Sequence, residues 1–163
     1  MTGKPLSELH KFLFDGLPVR GIVVRLTDAW TEILSRRASN TKSGAYDEPV
    51  MQLLGELTAA ATLMQSSIKF DGALVMQIMG DGPVKLAVAE VQADLGLRAT
   101  ATVREKIPAG TRLSAMVNVG NGGRCAITLD PKGRMPGQQP YQGVVPLYGD
   151  LGEKLENLNE VLQ

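Results

Sequence analysis

A chain of 163 residues is long enough for one domain that buries roughly 70% of its unfolded surface. Hydrophobic residues make up 44% and aromatic residues only 4%, so the core must be built from Leu, Val, Ile, Ala and Met. With 17 Lys plus Arg against 17 Asp plus Glu, there is no excess positive charge to drive non-specific nucleic-acid binding, and no apolar run reaches the roughly 18 residues of a membrane span.

A lone cysteine, Cys125, can form neither an intramolecular disulfide nor a cysteine-rich zinc site. Single-cysteine usage fits a reducing compartment, and the N-terminus lacks the charged-then-apolar pattern of a secretory signal. The expected location is the cytoplasm.

In chain order, Leu6, Leu9 and Leu13 fall at i, i+3 and i+7, which predicts a short amphipathic helix ended by Gly16 and Pro18. Residues 19–26 are rich in β-branched side chains and predict a strand. Thr27 or Asp28 caps a second helix, with Trp30, Ile33 and Leu34 as its buried stripe. Residues 35–48 read as a polar loop, and the basic cluster Arg36, Arg37 and Lys42 as part of its solvated surface.

Pro49 suits the first turn of a third helix, where a missing N–H costs little. Between Leu53 and Met64 the only charge is Glu56, so this helix should be enclosed on all sides. Small residues (Gly55, Ala59, Ala60 and Ala61) let sheets approach opposite faces. The expected fold is therefore α+β, with largely antiparallel sheets packed on both sides of a buried central helix. A surface helix with a narrow apolar stripe is the competing reading. Burial of Glu56 predicts a structural ion pair.

From Leu74 the pattern changes to period two, with Leu74, Met76 and Ile78 on one face and Val75, Gln77 and Met79 on the other. Asp81-Gly82 reads as a two-residue hairpin turn in which both positions tolerate positive φ. Val84, Leu86 and Val88 then alternate with Lys85, Ala87 and Ala89. In the next strand Arg98, Thr100, Thr102 and Arg104 oppose Ala99, Ala101 and Val103, so one face is wet. Residues 113–119 and 124–129 read as a second hairpin through Gly120-Asn121-Gly122-Gly123. A Pro/Gly-rich loop at 130–140 precedes a final strand at 141–147.

Leu151, Leu155, Leu158 and Leu162 form a helical stripe over residues 150–163, and the sequence stops at Gln163 without a helix stop signal. Two readings stand: a helix whose continuation or partner is absent, and a frayed terminal helix packing on its own domain.

Catalytic constellations are not legible. His10 is the only histidine, and no G-x-S-x-G, H-E-x-x-H or P-loop string occurs. The glycines at 120, 122 and 123 lack the third glycine of a dinucleotide loop, since Cys125 stands there. Cys125 reads as a buried small hydrophobe on a strand. Asp15, Asp71, Asp81 and Asp130 sit beside Gly or Pro and read as turn residues. Nothing in the sequence points to a metal site.

Several strings together resemble one family, the bacterial 33 kDa chaperonins. They are Val19-Arg20-Gly21, Leu53-Leu54-Gly55-Glu56-Leu57, Lys69-Phe70-Asp71-Gly72, Gly80-Asp81-Gly82-Pro83-Val84 and Tyr141-Gln142-Gly143-Val144-Val145, in the family's order across most of the chain. The resemblance implies a cytoplasmic, ATP-independent holdase that binds unfolding proteins under oxidative stress, often as a dimer. It also implies a C-terminal zinc domain with C-x-C and C-x-x-C pairs, joined by a metastable linker. Neither pair is present here, so residues 1–163 read as the core domain alone, and 150–163 as a helix leading towards an absent linker and zinc domain. No cofactor is expected in this chain.

A holdase needs accessible apolar surface with little directional chemistry. Leu74, Met76, Ile78, Leu86 and Val88 are the candidate client-binding residues, although the same side chains also suit packing against the central helix. Unfolded client proteins are the expected partners, with a homodimer or segment-swapped dimer as the assembly, and neither nucleic acid nor membrane. The alternative is a dimerisation domain with no client binding of its own.

Overall fold

The computed structural model describes residues 6–147; the expected terminal helix at 150–163 lies outside them. A two-stranded antiparallel sheet, β1 (Glu8–Leu13) and β2 (Arg20–Arg25), comes first, followed by helices α1 (Asp28–Ala38) and α2 (Glu48–Ser67). Then come β3 (Gly72–Met79), β4 (Val84–Val91), β5 (Leu97–Val103), a short helix α3 (Leu113–Val117), β6 (Arg124–Pro131) and β7 (Tyr141–Pro146). The last five strands form one antiparallel sheet in the order β5-β4-β3-β6-β7.

The α+β architecture is as expected: α2 packs on β4, β3 and β5 of the large sheet and meets β2 of the small sheet on another side. Its buried side chains (among them Val50, Leu53, Leu54, Leu57, Ala61 and Gln65) recur every three or four residues. Thr58 and Thr62 are buried with their hydroxyls donating to the Leu54 and Thr58 carbonyls, at 2.6 and 2.8 Å, so neither hydroxyl is stranded. Gly55 lies under Trp30, whose ring begins 3.4 Å from where a Cβ would stand, and this lets α1 settle on α2.

Enclosure is not complete. Gln52 and Glu56 are exposed, and the Gln52 Nε2 donates to Glu56 Oε1 at 3.1 Å. The expected buried ion pair at Glu56 is therefore replaced by a solvated side chain one turn from another polar group. A single charge in an apolar helix needs only one narrow wet strip, and the gap between the two sheets supplies it.

Four local expectations are corrected. Residues 8–13 are a strand rather than a helix, with Leu9 paired to Val24 and Leu13 to Arg20; a four-residue leucine spacing fits a helical face and a strand face equally well. Residues 113–117 are helical rather than extended, and the adjacent Met116 and Val117 are both buried, which a strand with alternating faces would not achieve. Helix α1 runs through to Ala38, so Arg36 and Arg37 stand on its last turn rather than in a loop. The connection at 80–83 is not a positive-φ hairpin turn, because neither Asp81 nor Gly82 has positive φ. Glycine is needed there for space: a Cβ on Gly80 would stand 2.0 Å from the Val84 carbonyl oxygen, and one on Gly82 2.7 Å from that of Met116.

Asp81 fastens this connection. Its Oδ2 accepts from the N–H groups of Gly120 and Gly122 at 2.9 and 2.8 Å, tying the β3–β4 link to the α3–β6 link. The Gly122 bond foremost, with Gly120 behind it, holds this carboxyl below its ordinary value of 3.8 against opposing desolvation.

Candidate protein-interaction surface

A register break in β4 decides where the expected client-binding residues go. Val84 pairs with Val103 and Leu86 with Thr102, so Lys85 is an extra residue at a β-bulge. Val84 points into the core, yet so do Ala87, Ala89 and Val91, one residue out of phase with it. Leu86 and Val88 are thereby turned to the outer face.

The five residues consequently divide. Leu74 is only 1% exposed, and Met76 and Ile78 are buried beside it against α2, opposite Val91, Ala89 and Ala87. They belong to the core and offer no accessible surface. Leu86 and Val88 are half-buried on the outer face, where Val88 lies between Thr100 and Gln77, and Leu86 between Thr102 and Met79. That face mixes hydroxyl, amide and apolar groups rather than forming one apolar patch.

The exposed apolar surface lies elsewhere, on the β1–β2 hairpin. Phe12 and Phe14 alternate along β1 and its end, and both point away from α2; their rings meet edge to face at 5.6 Å. Phe12 lies across Gly21, where a Cβ would be 2.2 Å from the ring, so the glycine makes room for it. On their face Val23 is 55% exposed and Val19 lies opposite Phe14, while Leu17 in the turn is 61% exposed and Leu13, on the hairpin's other face, 80%. Two of the three phenylalanines in an aromatic-poor chain are therefore exposed. Exposed apolar surface gathered on one element in this way marks contact sites on soluble proteins.

The hairpin is held firmly at its base. The Ser7 hydroxyl accepts from the N–H groups of Thr27 and Ala29 at 3.0 and 3.2 Å, capping α1 in place of the Thr27 side chain. Ser7 in turn donates through its N–H and hydroxyl to Asp28 Oδ1, at 2.5 and 2.6 Å, and these bonds depress the Asp28 carboxyl. The Lys11 ammonium donates to the Ser66 carbonyl at the end of α2, at 2.5 Å. Glu8 pairs with Arg25 across the strands, and its other carboxylate oxygen meets the His10 ring two residues along its own strand, at 2.6 Å.

A second apolar surface lies on the inner face of β6 and β7, past the edge of α2. It is a groove of about 310 Å³ lined by Ile68, Cys125, Ile127, Tyr141 and Val145 among others. Cys125 is thus half-buried at the groove wall rather than enclosed. Among the described residues no group of three or more His, Cys, Asp or Glu could hold a metal ion. The chain's single cysteine and its exposed histidine do not fit a zinc site.

This geometry defines a class: a scaffold whose distinguishing feature is accessible apolar surface on a braced framework, such as a chaperone presents. The family described as Hsp33 protein matches residues 7–158, and the chain belongs to that family. It is 44% identical to the 33 kDa chaperonin of Chromobacterium violaceum over 152 residues, covering 93% of this chain and 48% of that one. With the 33 kDa chaperonin of Methylobacillus flagellatus it shares 41% over 158 residues, 96% of this chain and 48% of the other. The chain thus spans about half the length of these relatives. The crystal structure of the 33 kDa chaperonin from Thermotoga maritima has the same fold, with a TM-score of 0.65 at 20% identity over 90% of this chain and 48% of that one. No helix among the described residues is long and apolar enough to cross a membrane.

Proposed function

We propose that this chain is the client-holding core of an ATP-independent holdase, which captures unfolding proteins on the β1–β2 hairpin. The observation that carries this reading is the set of apolar side chains Phe12, Leu13, Phe14, Leu17 and Val19 left uncovered on a well-anchored hairpin. Burial of apolar area is non-directional, so one such surface accepts many unfolded sequences. Aromatic side chains add large contact area at a small entropic cost. Action under oxidative stress, in the cytoplasm, belongs to the same reading. Redox control and zinc are assigned to a segment other than residues 6–147, which hold no cysteine pair.

The test is dilution of a chemically unfolded client protein into buffer with or without the chain, followed by light scattering. Suppression of aggregation by the wild type, and its loss in a folded Phe12→Ser/Phe14→Ser variant, is the expected result. Equal suppression by both would reject the hairpin as the client surface. A second reading, an assembly domain without client binding, is favoured by the open groove on β6 and β7. A monomer across a dilution series would reject it.

A further inference from the structure

Strand β5 is an edge of the large sheet, and edges of this kind are normally blunted. The opposite edge strand, β7, ends in Pro146, which has no N–H to offer. On β5 the N–H of Ala101 faces away from β4 and donates to the Tyr46 hydroxyl at 2.8 Å, while that hydroxyl donates to the Ala101 carbonyl at 3.4 Å. The tyrosine thus meets both groups that an adjoining strand would meet. By the two-residue period of the strand, the N–H and C=O of Ala99 and Leu97 face the same way. Among the described residues nothing is hydrogen-bonded to them.

These two open donor–acceptor pairs, about 7 Å apart along the strand, border a cleft of about 670 Å³. Its far walls are the hairpin base, through Leu9 and Val24, and α1, through Ile33. The carboxylates at its rim are engaged, Glu32 with Arg36 at 2.7 Å and Glu8 with Arg25, and the rim Arg98 is engaged by Glu90. What remains on offer is strand-edge backbone, apolar wall and the Arg37 guanidinium, which is stacked 4.0 Å over the Tyr46 ring with its Nε unpaired. That combination matches an extended peptide, with main-chain hydrogen bonds supplying affinity without reading sequence.

We propose that the open edge of β5, in the cleft between the sheet, α1 and the β1–β2 hairpin, takes an extended segment of client polypeptide as an added strand. This rests on the reading of the chain as a client-binding core. It adds a backbone-recognising element beside the apolar hairpin surface.

The probe is a lysine-flanked octapeptide of alternating valine and threonine, added to the 163-residue chain. Amide hydrogen exchange at Leu97 and Ala99 should slow about tenfold at saturation, with little change at Arg98 and Thr100, whose amides already face β4. The same peptide N-methylated at alternate amides should bind about tenfold more weakly. Ala99→Pro should weaken the unmodified peptide by a similar factor, because it removes only an outward N–H and leaves the β4–β5 ladder bonds in place. Unaltered exchange at Leu97 and Ala99, or equal binding of the methylated peptide to wild type, would overturn the proposal whatever the proline variant does. Protection that grows with protein concentration in the absence of peptide would also overturn it, by assigning the edge to a second copy of the chain. Aggregation suppression is scored separately: its absence in the wild type would sink the holdase reading, whereas its persistence alongside failed peptide binding would sink only strand addition.

Discussion

The two sheets that flank α2 use apolar side chains in opposite ways. In the five-stranded sheet, Leu74, Met76, Ile78, Val84 and Val91 are closed against Val50, Leu54 and Ala61 of the helix. In the two-stranded sheet only the face towards α2 is half-covered, and Phe12, Phe14 and Val23 on the other face remain exposed. Apolar content therefore does not separate stabilising from accessible surface in this molecule; the number of layers stacked on each strand face does. The thick side closes its apolar side chains in, and the thin side leaves them accessible.

The strongest way to break this contrast is in the core. Leu54→Ala, at a fully buried position, should cost about 2–5 kcal/mol, measured by urea unfolding. A cost below about 1 kcal/mol would mean that the thick side is not the stabilising one. Gly80→Ala places a methyl group against the Val84 carbonyl and should destabilise by roughly 1–3 kcal/mol through overpacking. Thermal unfolding would show it, and no change would require a turn other than the one described.

A pH titration sharpens the contrast, because each region has one depressed carboxyl: Asp28 at the hairpin base and Asp81 in the large sheet. A folded-state value below the unfolded one adds stability that is complete above about pH 4–5 and lost as pH falls through the folded value. Stability should therefore decline below about pH 4, and Asp81→Asn should flatten part of that decline while lowering stability at neutral pH. An unchanged acid limb in the variant would show that the two glycine N–H bonds do not matter in solution. The smallest stability effect belongs to the thin side: Phe12→Ser/Phe14→Ser should shift unfolding by less than about 1 kcal/mol, while aggregation suppression falls several-fold. A large loss of stability there would make the hairpin part of the core rather than a contact surface.

Much of the fold was legible because it rests on long patterns. The charge-poor helix, the alternation through β3 and β5, the Pro49 start of α2 and the final strand all follow from periodicities sustained over many residues. The candidate site was not. Leu86 and Val88 were grouped with Leu74, Met76 and Ile78 by strict alternation, and the bulge at Lys85 carried them to the other face. No residue in that stretch is a glycine or proline to announce the break. The hairpin surface was missed for a different reason: the spacing of Leu9 and Leu13 satisfies two periods, and the helical one concealed that Phe12 and Phe14 share a face.

The amino-acid sequence by itself determined the class of fold, the family, the largely buried helix and the lack of a cysteine pair, since each depends on local composition or on runs of residues that carry their own period. Tertiary structure alone decided which apolar residues are accessible, that Glu56 is solvated, that Gly80 and Gly82 serve close approach rather than positive φ, and that β5 keeps an open edge. Those properties depend on what lies across from a residue, and that is set by pairing and layering between segments far apart in the chain.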